Sequence, residues 1–338
     1  MKRVSMWQAL LRLAVIAVAY GAGWYSHSVG KPKIGGVKTR HVANNEFRLT
    51  SPLLDVELPE GVGVNYEPLP FKNRVMELVK MQIKNGQARE IAVYYRDMHD
   101  GPWFGINENK EFDPASMMKV PVMIAWLKRA EINPRVFSER LDYNFSDDLR
   151  TMQTIKPGRS VEPGLSYTVE ELLSLMMNYS DNNATRLLYN SLKPEELQDV
   201  MAGMDVENHS HGDVNLVSAH GYSGLFRILY NASYLNRNMS EKALHLLSLQ
   251  EFPQGISAGV PKGTVVAAKF GEATMGTPGK ERQLHEFGLV YHPKHAYILG
   301  IMTQGSNLES LATVIRQISQ LVYTEVDAGT FSQEDNRR

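Results

Sequence analysis

The chain has no cysteine. Disulfides, thiolate nucleophiles, cysteine-ligated zinc and the lipid-bearing cysteine of a bacterial lipoprotein are therefore all excluded. A chain without thiols is indifferent to redox compartment and fits a location outside the cytoplasm. It also has no excess of either charge. A formal net charge of −1 over 338 residues gives no global field that would collect nucleic acid, and no nucleic-acid partner is expected. Internal repeats and low-complexity tracts are missing too. With 26 glycines and 16 prolines, most of the chain reads as globular, in one or two domains.

One long apolar run is present. Lys2 and Arg3 precede it, it extends from Val4 to Trp24, and Gln8 and Arg12 interrupt it. The unbroken part, Leu13 to Trp24, has the length of a signal-peptide core. The whole run would just span a bilayer, with Arg12 reaching back to the headgroups. Gly21-Ala22-Gly23 is a weak cleavage site. Residues 1–28 are read as an uncleaved signal anchor, a single membrane pass that holds the rest of the chain outside the cytoplasm. Secretion after cleavage is the alternative. Lys31, Lys33, Lys38 and Arg40 make the far flank as basic as the near one, so loop charge does not fix orientation. Residues 29–70 read as a linker, 71–326 as the functional domain and 327–338 as a flexible tail.

Within the domain, Phe71, Val75, Leu78, Val79 and Ile83 share one helical face. β-Rich runs at 90–96 and 103–106 flank a turn at His99-Asp-Gly101 and predict a hairpin. A helix should begin at Pro114 or Ser116, capped by Asp113 and bent at Pro121. Thr168 and Glu171 form a capping box that opens a helix ending at Tyr179. Helices follow at 184–192, after Pro194, at 221–235 and at 240–249. Strands at 264–271, 286–292 and 296–303 come next, the last two joined across Pro293-Lys294, and then a helix over 307–326. The first and last strands most simply join one antiparallel sheet flanked by helices, with the block between them as an all-helical lobe. This is an α+β architecture.

Three short motifs carry the chemistry. Ser116-x-x-Lys119 places a hydroxyl and an amine on one helical face. A serine becomes nucleophilic when a neighbouring base takes its proton, and a lysine can be that base when burial lowers its pKa. This pair alone recurs by chance in many proteins. Ser180-Asp181-Asn182 falls in a break between helices and offers a hydroxyl to relay protons and an amide to hold a carbonyl. Lys269-Phe270-Gly271 ends a β-branched strand, with a cation for a substrate carboxylate and a glycine that permits close backbone approach.

In this order the three motifs resemble the S-x-x-K, S-D-N and K-T-G set of the class A β-lactamases and penicillin-binding proteins. The stretches Ile91-Ala-Val-Tyr-Tyr, Phe112-Asp-Pro-Ala-Ser-Met-Met-Lys, Ser180-Asp-Asn-Asn-Ala-Thr-Arg-Leu-Leu and Phe287-Gly-Leu-Val-Tyr extend the resemblance over Phe71 to Val326. The resemblance implies a β-lactamase/transpeptidase-like fold and a serine hydrolase acting on amides. Ser116 would form the acyl-enzyme, Lys119 would activate it, and Ser180 would pass a proton to the leaving nitrogen. Asn182 would position the substrate amide and Lys269 would bind its carboxylate. The backbone N–H groups of Ser116 and Glu272 would form the oxyanion hole. The substrate would be a β-lactam or a peptidoglycan-derived peptide, and no cofactor is called for.

Two departures qualify this. The third motif carries Phe270 where the family has a hydroxyl for the substrate carboxylate; His285, Arg282 and Lys280 are candidate substitutes. The interval from Ser180 to Lys269 is short. The segment 205–217, read as a polar loop, lacks the Glu-x-x-Leu-Asn pattern of the deacylating loop and offers only Glu207. Slow deacylation is therefore expected. The alternative is a catalytically weak or inactive relative that binds a cell-wall peptide or glycan. His209, His211 and Asp213 in the same segment are read as a solvated loop, and no metal is assigned.

Overall fold

The apolar periodicity of residues 71–85 becomes α1 (Lys72–Lys84), and the two β-rich runs become β1 (Glu90–Asp97) and β2 (Trp103–Ile106), paired as a hairpin. The protein is seen in a computed structural model, which describes residues 47–51, 71–99, 101–203, 209–211, 214–275 and 281–329. All of these belong to one compact unit. The anchor reading of residues 1–28 lies outside the described residues, among which no helix is long and apolar enough to cross a membrane.

At the carboxyl end, β8 (Val266–Met275), β9 (Glu281–Val290) and β10 (Tyr297–Gly305) form a meander that returns to β1. The result is a fully antiparallel sheet in the order β2-β1-β10-β9-β8. The register sets Val93 opposite Ile301 and Lys269 opposite Phe287. The expected union of first and last strands is thus observed. Strand β9 is buried on both faces from Gln283 onward, which is why its sequence runs apolar instead of alternating. α8 (Leu308–Ala328) packs with α1 over one face, burying Leu311, Val314, Ile315, Ile318 and Val322. It runs into the segment read as tail and ends where Gly329 adopts φ 66° as its left-handed cap.

The other face of the sheet meets the helical lobe. At its centre lies α2 (Lys119–Ile132), in which Val120 to Leu127 are all buried. A helix enclosed on every side needs no polar stripe. Pro121 falls in the first turn of α2, where its missing N–H would have had no α-helical partner, so it is accommodated there. Around α2 stand α3 (Val169–Asn178), α4 (Asn182–Asn190), α5 (Pro194–Gly203), α6 (Ala219–Tyr230) and α7 (Arg237–Ser248). The Thr168–Glu171 capping box is present with both of its reciprocal bonds.

Very short strands escape sequence reading, because two or three residues cannot display a period. β3 (Glu111–Phe112), β4 (Arg140–Asp142) and β5 (Ser166–Thr168) are of this kind. The segment read as a polar loop contains the hairpin β6 (His209–His211) and β7 (Val214–Ser218), and β7 pairs with β3 immediately before the Ser116 motif. Within the segment read as linker, the Glu241 carboxylate accepts the backbone N–H groups of Arg48, Leu49 and Thr50 at 2.8–2.9 Å. That pins these residues to α7.

Candidate active site

The turn carrying Ser116 is tight and held from several directions. Ala115 takes φ 48°, a left-handed conformation that costs a β-carbon-bearing residue energy, and its N–H donates to Asp113 Oδ1 at 2.8 Å. A 3-10 turn from Ala115 to Met118 then feeds into α2. Tyr222 donates its hydroxyl to the Met117 carbonyl at 2.8 Å, and Asp113 N–H donates to Gln283 at 3.1 Å. Strain of this kind persists where surrounding contacts over-determine the backbone. The neighbouring N–H groups of Ala115 and Met117 are both bonded, whereas that of Ser116 has no acceptor among the described residues.

The second motif is shaped by its own break. α3 stops at Asn178 and α4 begins at Asn182, so Ser180 sits between them at φ 57° and almost fully buried. Asp181 is the cap of α4. Its carboxylate accepts from Asn183 N–H, Ala184 N–H, Val161 N–H and the Ser160 hydroxyl at 2.8–3.2 Å. Gln153 spans the break, donating to the Ser180 carbonyl at 3.0 Å and accepting Asn182 N–H at 3.4 Å.

Two lysine side chains converge on this break. Lys119 Nζ donates to the Ser180 carbonyl (2.7 Å), the Ser180 hydroxyl (3.1 Å) and Asn182 Oδ1 (2.7 Å). Lys269 Nζ donates to the same Ser180 hydroxyl at 3.0 Å and to the Phe270 carbonyl at 2.9 Å. Both lysines are buried. Burial pushes the Lys119 amine down to about 7, opposed by the carboxylates of Asp181 and Glu272. Burial likewise drives Lys269 well below the usual lysine range; the Lys119 cation adds to this and Glu286 opposes it. A lysine near 7 holds a free electron pair for much of the time at neutral pH and can accept a proton. The Ser116 hydroxyl makes no side-chain hydrogen bond among the described residues, so Lys119 is presently committed to Ser180 and Asn182.

Strand β8 brings the third motif against the first. A β-carbon on Gly271 would stand 2.6 Å from the Pro114 carbonyl oxygen and 3.1 Å from Met117 N. The glycine is thus needed for contact with the Ser116 turn itself. β8 is one of the sheet's two edge strands. Phe270 N–H points away from β9 to Gln250 Oε1 at 2.6 Å. By strand alternation the Glu272 N–H, two residues on, faces the same open edge.

The sequence profile of the β-lactamase enzyme family matches residues 70–326. The chain belongs to that family. Among solved structures, the β-lactamase from Sphaerobacter thermophilus DSM 20745 superposes with a TM-score of 0.66 at 19% identity, over 77% of this chain and 98% of that one. A point mutant of PBP-A, solved as an acyl-enzyme complex with penicillin G, gives 0.65 at 20% identity, over 80% and 100%. A β-lactamase from Chitinophaga pinensis DSM 2588 gives 0.64 at 18%, over 75% and 100%. At these identities the likeness is one of fold. No curated protein matches.

Against the family pattern, several residues do something other than expected. His285 is a correction. It is completely buried and cannot meet a substrate carboxylate. Its Nδ1 accepts Thr303 N–H at 3.1 Å, which leaves Nε2–H to donate to the Asp113 carbonyl at 3.1 Å. Burial lowers its pKa to about 3, so it is a neutral strut beneath the Ser116 turn. Phe270 is turned into the core between sheet and α8, stacked on Phe252 with ring centroids 4.5 Å apart. Arg282 donates to Thr154 Oγ1 at 2.7 Å near the start of β9. Lys280, Glu207 and Asp213 lie outside the described residues, and His209 and His211 fall on β6.

Sequence reading missed Gln153, which no motif flags, and the buried pair Gln250 and Glu286. Gln250 donates to Glu286 Oε1 at 2.9 Å, and Glu286 also accepts Ile256 N–H at 2.7 Å. Burial raises the Glu286 carboxyl to about 7. A glutamate within an apolar strand is the one signal that could have drawn attention to it.

Proposed function

We propose that the chain is a serine hydrolase that forms an acyl-enzyme at Ser116 with a β-lactam or a peptidoglycan-like amide. The reading rests above all on the Ser180 hydroxyl, held between two buried lysine amines at 3.1 and 3.0 Å. Lys119 Nζ, once neutral, takes the Ser116 Oγ proton while Oγ bonds to the carbonyl carbon. The oxyanion is received by the N–H groups of Ser116 and Glu272. The C–N bond then breaks, Ser180 passes its proton to the leaving nitrogen, and Lys119 returns the proton to Ser180. Asn182 holds the substrate amide and Lys269 the charge beside it. Water later cleaves the ester and regenerates Ser116.

We further propose that this last step is slow, because the short interval between Ser180 and Lys269 offers no recognisable deacylating glutamate. Residues 1–28 are proposed to anchor the domain outside the cytoplasm, which carbonate extraction of membranes would test. Intact-protein mass spectrometry over time after exposure to penicillin G tests the chemistry. An adduct is expected that is absent from Ser116→Ala and decays over minutes or longer. Absence of an adduct from both penicillin G and a fluorophosphonate would overturn the enzyme reading in favour of a binding protein.

A further inference from the structure

A protonated lysine has three N–H donors. Lys119 Nζ donates to three oxygens: the Ser180 carbonyl, the Ser180 hydroxyl and Asn182 Oδ1. Lys269 is held differently. Among the described residues its Nζ reaches two oxygens, the Ser180 hydroxyl at 3.0 Å and the Phe270 carbonyl at 2.9 Å. It also lies over the Phe270 ring, 4.2 Å from the centroid. The open edge of β8 explains this contact. Phe270 N–H points away from β9, to Gln250 Oε1 at 2.6 Å, and the carbonyl of the same residue points the same way in an antiparallel strand. The Lys269 amine curls round the edge to reach that carbonyl, and there it meets the ring of the next residue.

The ring is itself fixed. Phe252 stacks on it with centroids 4.5 Å apart. Gln250 pins the Phe270 backbone and donates its amide to Glu286 Oε1 at 2.9 Å. Lys269 is fully buried and has no carboxylate within ion-pair distance among the described residues. Two charges act on it from further away: Lys119 on α2 disfavours its protonation and Glu286 on β9 favours it. The break between α3 and α4 faces it with the uncharged Ser180. An aromatic face attracts an ammonium, most strongly where water is excluded.

We propose that Phe270 is a positioning residue whose ring keeps the Lys269 amine charged and fixed at the edge of β8, so that the cation alone receives a substrate carboxylate without the hydroxyl that the third motif lacks. This rests on the hydrolase reading for its setting, yet it concerns binding and can be tested apart from acyl transfer. In full-length Ser116→Ala protein, the affinities for penicillin G, an anion, and for its neutral methyl ester give a ratio that should fall with rising pH as Lys269 loses its proton. Pentafluorophenylalanine in place of Phe270 keeps the ring's outline and reverses the polarity of its face. The fall should then move to lower pH by about one unit, which is a roughly tenfold loss of preference for the anion at a pH between the two midpoints. Phe270→Leu removes the aromatic face and stays apolar, and it should move the fall the same way. Lys119 titrates in all of these proteins, so the difference between profiles reads the change at position 270.

A ring that merely fills the core predicts an unchanged profile in the fluorinated protein, and an equal loss of both probes in Phe270→Leu. Either result overturns the proposal. So does a Ser116→Ala protein that binds neither probe, or one whose ratio does not change with pH. Failure of the hydrolase reading appears separately, as the lack of any Ser116 adduct with a fluorophosphonate in the protein that keeps its serine.

Discussion

Gly271 and Pro114 approach so closely that a single added methyl group would stand 2.6 Å from the proline carbonyl oxygen. The obstacle is backbone, so the strand or the turn must move. Gly271→Ala should destabilise the fold by about 1–3 kcal/mol. It should slow acylation far more than its loss of stability implies, because β8 and the nucleophile turn carry the two proposed oxyanion donors. Urea unfolding set beside adduct-formation rates at a temperature where both proteins are folded would separate the two effects.

The Lys119 amine at about 7 predicts a pH profile. Acylation by penicillin G should rise with pH through about 7 and level off above it, as the base loses its proton. Lys119→Arg, which stays charged, should react slower by about a hundredfold or more. Stability follows the same group. In the unfolded chain the amine keeps its proton to 10.5, so between about 7 and 10.5 the unfolded state binds the extra proton and the folded state gains stability as pH rises. Lys119→Met should lack that gain in denaturant titrations at pH 7 and 10.

For His285 the window lies on the acid side. Its folded pKa of about 3 lies below the ordinary 6.5, so the unfolded chain binds the extra proton between these values. Stability from this group is intact above 6.5 and is lost as pH falls toward 3. His285→Gln should cost about 1–2 kcal/mol at pH 7 from disturbed hydrogen bonds and show a shallower decline on acidification. Chemical unfolding at pH 4 and pH 7 would read both.

Restoring the family hydroxyl should harm this chain. Phe270 fills the core between the sheet and α8, so Phe270→Thr leaves a cavity against Phe252 and should destabilise by about 3 kcal/mol. No gain in penicillin acylation is expected, since the side chain at position 270 faces the core between the sheet and α8. A melting temperature and an adduct rate on the same preparation suffice to check it.

These residues also show what can be read from sequence. The capping box, the helical faces and the β-rich runs are local, and each appears in its element. The meeting of Lys119, Ser180, Asn182 and Lys269 was legible because each sits in a short motif at a predicted element boundary. The direction in which a side chain leaves its strand was not legible. His285 and Arg282 lie three residues apart on β9, and only the structure tells that one is sealed beneath the Ser116 turn while the other lies half-buried at the start of the strand. Gln153 was invisible because its task is set by a break in the chain nearly thirty positions away. The hairpin of β6 and β7 was missed because its strands are too short to show alternation, and β3 gains its partner only from that distant hairpin.

Strand β10 lies between β1 and β9, and this has a consequence for how the molecule comes into being. The β1–β2 hairpin leaves the ribosome early, yet one side of β1 has no partner until Ile301 and its neighbours emerge. Throughout synthesis of the helical lobe that open ladder is exposed, a long-range closure of the kind that folds slowly and invites mispairing. Lys269 arrives in the same late stretch. A nascent chain would thus carry Ser116, the proposed nucleophile, long before the site around it could form, and any truncation ahead of β10 should abolish the fold and the proposed chemistry together.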